Sequence, residues 1–219
     1  MRHTHSRVRS VHLALGITLA LAASAVLGGV TNAATQTPFD KNLVKNPGAE
    51  AGAGTSGNTP VQIPNWSVYG AFTVVRYGAA GFPAKSESTR IGGGHKFFSC
   101  GPNSSGGHVV QTVQLHGLQT LIDNGHVKVI LKARLASYAS QQDSATASVH
   151  FYNNASGTGY LYAPAVVASD DLFISKSASR IVPPGTTFLQ VELYGVRANN
   201  GGTYCDAYFD NISVVLKQV

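Results

Sequence analysis

Two stretches of this chain constrain its fold more than any other feature. In "HVKVILKARLAS", residues 126–137, Val127, Val129 and Leu131 fall on one phase and His126, Lys128 and Lys132 on the other. In "TFLQVELYGV", residues 187–196, Leu189, Val191 and Leu193 alternate with Phe188, Gln190, Glu192 and Tyr194. An apolar residue at every second position, with one wet face, is the pattern of a half-buried antiparallel strand. Shorter runs of the same kind recur: "NWSVYG", "FTVVRYG", "HKFFSC", "HVVQTVQL", "ATASVHFYN" and "YFDNISVVL". Turn residues separate them, and Ala51–Pro60, Gly78–Gly94, Gly101–Gly107, Asn153–Gly159 and Ala198–Thr203 read as loops. Only "LQTLIDNG", Leu118 to Gly125, reads as helix, one or two turns closed by Asn-Gly. The expectation is an all-β antiparallel β-sandwich of about nine strands without a second domain.

The front of the chain is different in kind. Residues 1–12 carry Arg2, Arg7 and Arg9 and no acid, residues 13–30 are apolar and uncharged, and "TNAATQTP" follows. A basic start, an apolar middle and a small-residue exit predict a signal-peptide helix over residues 1–33, cut after Ala33 or Ala34. A membrane anchor is the competing reading, because about 18 apolar residues just span a bilayer. Cleavage predicts a secreted, extracellular protein with no stable membrane span. A short segment, 34–41, would lead into a domain at 42–219. Removing the three leader arginines lowers the formal charge from +6 to +3, and no Lys/Arg cluster remains to mark a nucleic-acid surface. Nothing in the sequence signals an oligomer, so a monomer is expected.

Both cysteines, Cys100 and Cys205, lie in the exported part. Export permits a disulfide, which would close a loop of about 100 residues and stabilise by about 4–5 kcal/mol in the chain-entropy treatment. Two free thiols are the alternative.

In "YFDNISVVL" strict alternation puts Asp210 on the same face as Ile212 and Val214, a costly place for a bare carboxylate unless it is paired or holds a metal. Glu50 follows a turn, Asn46-Pro47-Gly48, at the domain's start. If the first and last strands are neighbours, two carboxylates and nearby turn carbonyls make an oxygen-rich site suited to Ca²⁺. Otherwise Glu50 is solvated and Asp210 caps a turn.

The front stretch "NLVKNPGAE…IPNWS" and the closing strand "YFDNISVVL" resemble the carbohydrate-binding modules of the galactose-binding-like jelly-roll class, and the middle, "GGGHKFFSCGPNSSGGHVVQTVQL" and "LASYASQQDSATASVHFYN", resembles secreted actinobacterial proteins that carry such a domain. The resemblance covers most of residues 42–216. It implies a structural Ca²⁺ bridging the chain ends, with Glu50 and Asp210 at the matching positions. Two departures are visible: Ala49 stands where an aromatic is usual, and Trp66 follows Pro64-Asn65 rather than Gly.

Sugars are held by aromatic rings and by amide or carboxylate hydrogen bonds. Tyr138, Gln141 and Asp143 in the polar loop "ASYASQQDSA", and Tyr204 beside Cys205, are the candidate ligand-binding residues, and a turn stabilised by Asp143 and Ser140 is the alternative reading of that loop. Trp66 reads as core. No pair of acids is spaced for glycoside hydrolysis, and no nucleophile or zinc motif is present. His95, His108, His116, His126 and His150 are scattered and read as ordinary strand or surface histidines. The expected function is non-catalytic binding of a polysaccharide or surface glycan. The alternatives are a cell-surface protein that contacts protein partners through the same fold, and a small secreted hydrolase or lyase.

Overall fold

A computed structural model describes residues 38–57, 59–154, 156–167, 169–198 and 202–219. The segment read as a signal peptide, residues 1–33, lies outside the described residues. Among those described, no helix is long and apolar enough to cross a membrane.

Among the described residues, ten strands form two five-stranded sheets. In chain order they are β1 (Ser67–Tyr69), β2 (Thr73–Arg76), β3 (Lys96–Gly101), β4 (Gly106–Gln114), β5 (Val127–Ser137), β6 (Ser144–Tyr152), β7 (Gly157–Tyr162), β8 (Ile174–Ile181), β9 (Phe188–Val196) and β10 (Cys205–Gln218). One sheet has the order β1-β4-β9-β6-β7 and the other β2-β3-β10-β5-β8, and every strand pair within them is antiparallel. The expected β-sandwich is the observed architecture. The alternation in β5 and β9 works as read: Val127, Val129, Leu131, Leu189, Val191 and Leu193 are all fully buried between the sheets. Trp66 belongs to this core and packs edge-on against Phe98.

The short helix at Gln119–Asp123 (α2) matches the stretch read as helical. A second helix, Lys85–Ile91 (α1), falls inside the stretch read as a loop. The glycines that flank α1 conceal it, but "KSESTRI" is itself free of Gly and Pro. Its Arg90 pairs with Glu87, Glu87 also accepts from the Phe173 backbone N–H at 2.6 Å, and Gly92 closes the helix with a left-handed backbone.

α1 and the loops around it roof part of the outer face of the β2-β3-β10-β5-β8 sheet. Tyr77, Ile91, Phe97, Phe173 and Tyr208 form a second buried cluster there. Adjacent residues of β10 therefore serve two cores, Tyr208 under the roof and Phe209 between the sheets, both fully buried.

Cys100 and Cys205 form the expected disulfide, with Cα atoms 5.2 Å apart. It joins the end of β3 to the start of β10. Gly195 of β9 faces it from the other sheet, where a Cβ would lie 2.7 Å from the Cys100 sulfur. Any side chain there would push the sheets apart.

Candidate functional site

The front of the described domain meets its last strand as expected, by a route the alternation does not reveal. Leu43 N–H donates to the Val214 carbonyl at 2.9 Å, and the Asn42 amide bridges from the Ile212 carbonyl to the Val44 and Val214 N–H groups. Asn42 is needed because β10 bulges here. Asp210 pairs with Arg134 and Ser213 with Lys132, so three steps on β10 oppose two on β5, and Asn211 takes a left-handed φ of 49°. The bulge reverses the phase of the strand. Phe209 and Ile212 both point into the sandwich, and Asp210 points outward with Tyr208. The reading that set Asp210 on the face of Ile212 and Val214 is corrected by this one extra residue.

Asp210 is nonetheless fully buried, beneath the Gly92–Gly94 turn that follows α1. Tyr77 donates its hydroxyl to Oδ2 at 2.6 Å and the Asn211 N–H donates to Oδ1 at 2.6 Å. A Cβ at Gly93 would stand 2.3 Å from Oδ2, so only glycine lets the turn close over the carboxyl. Glu50 approaches the same turn from the other side. Its Oε1 accepts from the backbone N–H groups of His95 and Lys96 at 2.9 and 2.8 Å, and the Lys96 ammonium donates to the carbonyls of Glu50 and Gly52 at 2.6 and 2.9 Å. Asn46, Gly48, Glu50, Gly93 and Asn211 line a cleft of about 410 Å³ at this seam. Burial, reinforced by the charge on Glu50, raises the Asp210 carboxyl to about 8, and no ion pair reaches it among the described residues. The donors fit Ca²⁺ in kind, being hard oxygens, and a buried carboxyl repelled by its neighbour is the group such an ion would relieve. No group of three His, Cys, Asp or Glu is placed to hold a metal among the described residues.

The loop residues expected to bind ligand do not share a face. Asp143 is fully buried, and its two oxygens accept from the N–H groups of Ala198 at 2.8 Å and Asp206 at 2.7 Å. It is a latch between loops. Tyr204 is half-buried, with its hydroxyl bonded to Ser99 at 3.1 Å and to the Gly57 carbonyl at 3.0 Å and its ring edge-on to Phe82. Tyr138 packs against the roofed cluster, and the Gln141 carbonyl oxygen is buried.

A different set converges on the outer face of the β1-β4-β9-β6-β7 sheet. Register places Tyr69, His108, Tyr194 and Thr146 in one row across β1, β4, β9 and β6, and Val110, Glu192, Ser148 and Tyr162 in the next across β4, β9, β6 and β7. Glu192 sits between the two histidines. His150 Nε2 lies 3.0 Å from Oε2, and His108 Nδ1 lies 3.8 Å from Oε1. The His150 contact, the main cause, holds the Glu192 carboxyl below the ordinary glutamate range. Aromatic rings flank this centre: Tyr69 stands 4.6 Å and Tyr194 6.4 Å from the His108 ring, and Tyr162 lies 5.9 Å from His150 and 4.9 Å from Tyr160. Tyr69, Tyr160, Tyr162 and Tyr194 are 44–58% exposed. The sequence carried one part of this signal, the wet phase of β9 that holds Glu192 and Tyr194. Grouping His108 and His150 with it takes the register of three strands that are distant in sequence.

No protein-family model matches the chain, and no curated protein is similar to it. Its fold is shared with a Stig cyclase from Fischerella sp. TAU, solved with (3Z)-3-(1-methyl-2-pyrrolidinylidene)-3H-indole: 15% identity, 82% of this chain and 98% of that one, TM-score 0.56. A carbohydrate-binding module, TmCBM61 in complex with beta-1,4-galactotriose, aligns at 16% identity over 82% of this chain and 99% of that one, TM-score 0.47. The enzymatically active domain of bacteriophage CBA120 tailspike protein 4 aligns at 15% identity and TM-score 0.46, over 80% of this chain but 21% of that one. At such identities the likeness is one of fold.

Proposed function

We propose that this protein is a secreted, non-catalytic module that binds a polysaccharide or surface glycan on the open face of the β1-β4-β9-β6-β7 sheet, with a structural Ca²⁺ at the Glu50–Asp210 seam. The observation that carries the binding reading is the set of four exposed tyrosines around a carboxylate on an unroofed sheet. Rings left wet on a folded surface are available to stack on the apolar faces of sugars, while Glu192 and Gln190 accept or donate hydrogen bonds to hydroxyls. Tyr69 and the Tyr160–Tyr162 pair stand on the two edge strands, with Tyr194 on the central strand between them. Tyr69 on β1 and Tyr160 on β7 are four strand spacings apart across the sheet, about 19 Å, and offset by four residues along the strands, which suits an extended chain rather than a single sugar.

Affinity electrophoresis and pull-down on neutral polysaccharides, including xylan and β-1,4-galactan, test this. Retention is expected, with affinity rising with oligosaccharide length and lost in Tyr194→Ala and Tyr160→Ala. Tyr138→Ala, in the loop, is expected to bind normally. Absence of retention on every polysaccharide would sink the reading. For the metal, Ca²⁺ would be held by the carboxylates of Glu50 and Asp210 with turn carbonyls. Metal analysis of the purified protein and melting with and without chelator test it, and an empty, chelator-insensitive protein rejects the ion while leaving the binding face untouched.

A further inference from the structure

Glu192 is the one carboxylate at the centre of the proposed binding face, and its two oxygens are not equivalent. Oε2 is engaged: His150 Nε2 lies at 3.0 Å and the Ser148 hydroxyl donates to it at 3.4 Å. Oε1 faces His108 Nδ1 at 3.8 Å, beyond hydrogen-bond reach. A carboxylate has about four acceptor sites, so Oε1 is the acceptor left open toward a ligand. His108 is half-buried, with its ring between those of Tyr69 and Tyr194. An imidazole changes charge between about pH 5 and 8. Once protonated, it donates from both nitrogens and its charge is supported by adjacent tyrosine rings. The titratable groups on the face around Glu192 are Tyr69 from β1, His108 from β4, His150 from β6, Tyr160 and Tyr162 from β7, and Tyr194 on its own strand, and the exposed Lys45, from the segment before β1, lines a cavity with Tyr69 and Gln190. The outward positions of these strands hold no lysine, arginine or second carboxylate among the described residues.

We infer that the ligand is an uncharged glycan chain that donates hydroxyl hydrogens to Glu192 Oε1, and that protonated His108 closes onto this oxygen and displaces it, so that the module binds at neutral pH and releases on acidification. The inference rests on the glycan-binding reading above and adds the charge class of the ligand and the gate. An ionised face centre repels uronic-acid or sulfated polymers at neutral pH, and a neutral chain meets no such penalty.

Calorimetric titration of soluble xylan and β-1,4-galactan, with polygalacturonate as the acidic counterpart, tests both parts at pH 8 and pH 5. The wild type is expected to bind a neutral polymer at pH 8 and to lose about tenfold in affinity at pH 5, the loss of about one charge-assisted hydrogen bond. His108→Phe, which keeps a ring between Tyr69 and Tyr194 but cannot titrate, should bind equally at both values. Glu192→Gln should be weak and insensitive to pH. Binding of the neutral polymer without pH dependence, or the same loss in His108→Phe, overturns the gate alone. Preference for polygalacturonate at pH 8 overturns the charge assignment. Failure to bind any polymer at pH 8 overturns the glycan reading and this inference with it.

Discussion

The two outer faces of the sandwich are built from similar residues and end in opposite states. On the β2-β3-β10-β5-β8 sheet, Phe97, Phe173 and Tyr208 are buried almost completely, because α1 and the loops around it lie over them. On the β1-β4-β9-β6-β7 sheet, Tyr69, Tyr160, Tyr162 and Tyr194 stand in solvent. The Tyr208 hydroxyl turns inward to Asp206 at 2.6 Å, whereas the open face holds its carboxylate between two imidazoles at the surface. Aromatic content does not locate a binding site. A roof turns rings into core, and its absence leaves them free to meet a ligand.

Substitutions that treat the two faces alike should separate them. Phe97→Ala empties the roofed cluster and is expected to destabilise by about 3–5 kcal/mol, read by urea unfolding. A loss under about 1 kcal/mol would mean that the roof is not packed. Asp143→Ala strands the N–H groups of Ala198 and Asp206, about 1–3 kcal/mol for each buried group left unpaired. Polysaccharide retention at permissive temperature should be unchanged, and loss of retention in the folded variant would return the ligand site to the loops.

The seam at the edge of the roof should respond to pH. Burial keeps the Asp210 carboxyl protonated up to about 8 in the metal-free fold, and the unfolded chain releases that proton near pH 4. The stabilisation is therefore complete below about pH 4 and declines as pH rises toward 8. Asp171 and Asp206, each raised to about 6, mainly by burial, add to the same slope at lower pH. Tm of the chelated protein should fall across this range, less steeply in Asp210→Asn. Added Ca²⁺, which takes the ionised form, should raise Tm more at pH 8 than at pH 5. A chelated Tm that rises from pH 5 to pH 8 would contradict the burial argument. The smallest effect on stability belongs to the open face: Tyr194→Ala is expected to stay within about 0.5 kcal/mol and yet abolish retention. A large loss of stability there would make the tyrosines structural after all.

Much of the fold was readable in the chain because the signals are local. The pleat repeats every two residues, so Val127, Val129 and Leu131 report their face without reference to any other strand. Asn-Gly after "LQTLID" marks the end of α2 in the same way. Helix α1 escaped because the glycines at Gly78, Gly81 and Gly92–Gly94 outweighed seven permissive residues. The loop candidates were placed by polarity, and polarity does not distinguish a carboxylate facing a ligand from one, such as Asp143, that ties two loops together.

What the sequence determined by itself was the sandwich and the inward-facing residues of its strands. The tertiary structure alone decided which way Asp210 points, since the bulge at Asn211 exists only in the pairing of β10 with β5. It alone decided which aromatic face is roofed and which histidines flank Glu192. Periodicity is a property of one strand, whereas register and cover are set by contacts between residues as distant as Asn42 and Val214, or His108 and Glu192. No local pattern encodes those contacts, because a shift of one residue in pairing leaves every strand's own alternation intact and exchanges its two faces.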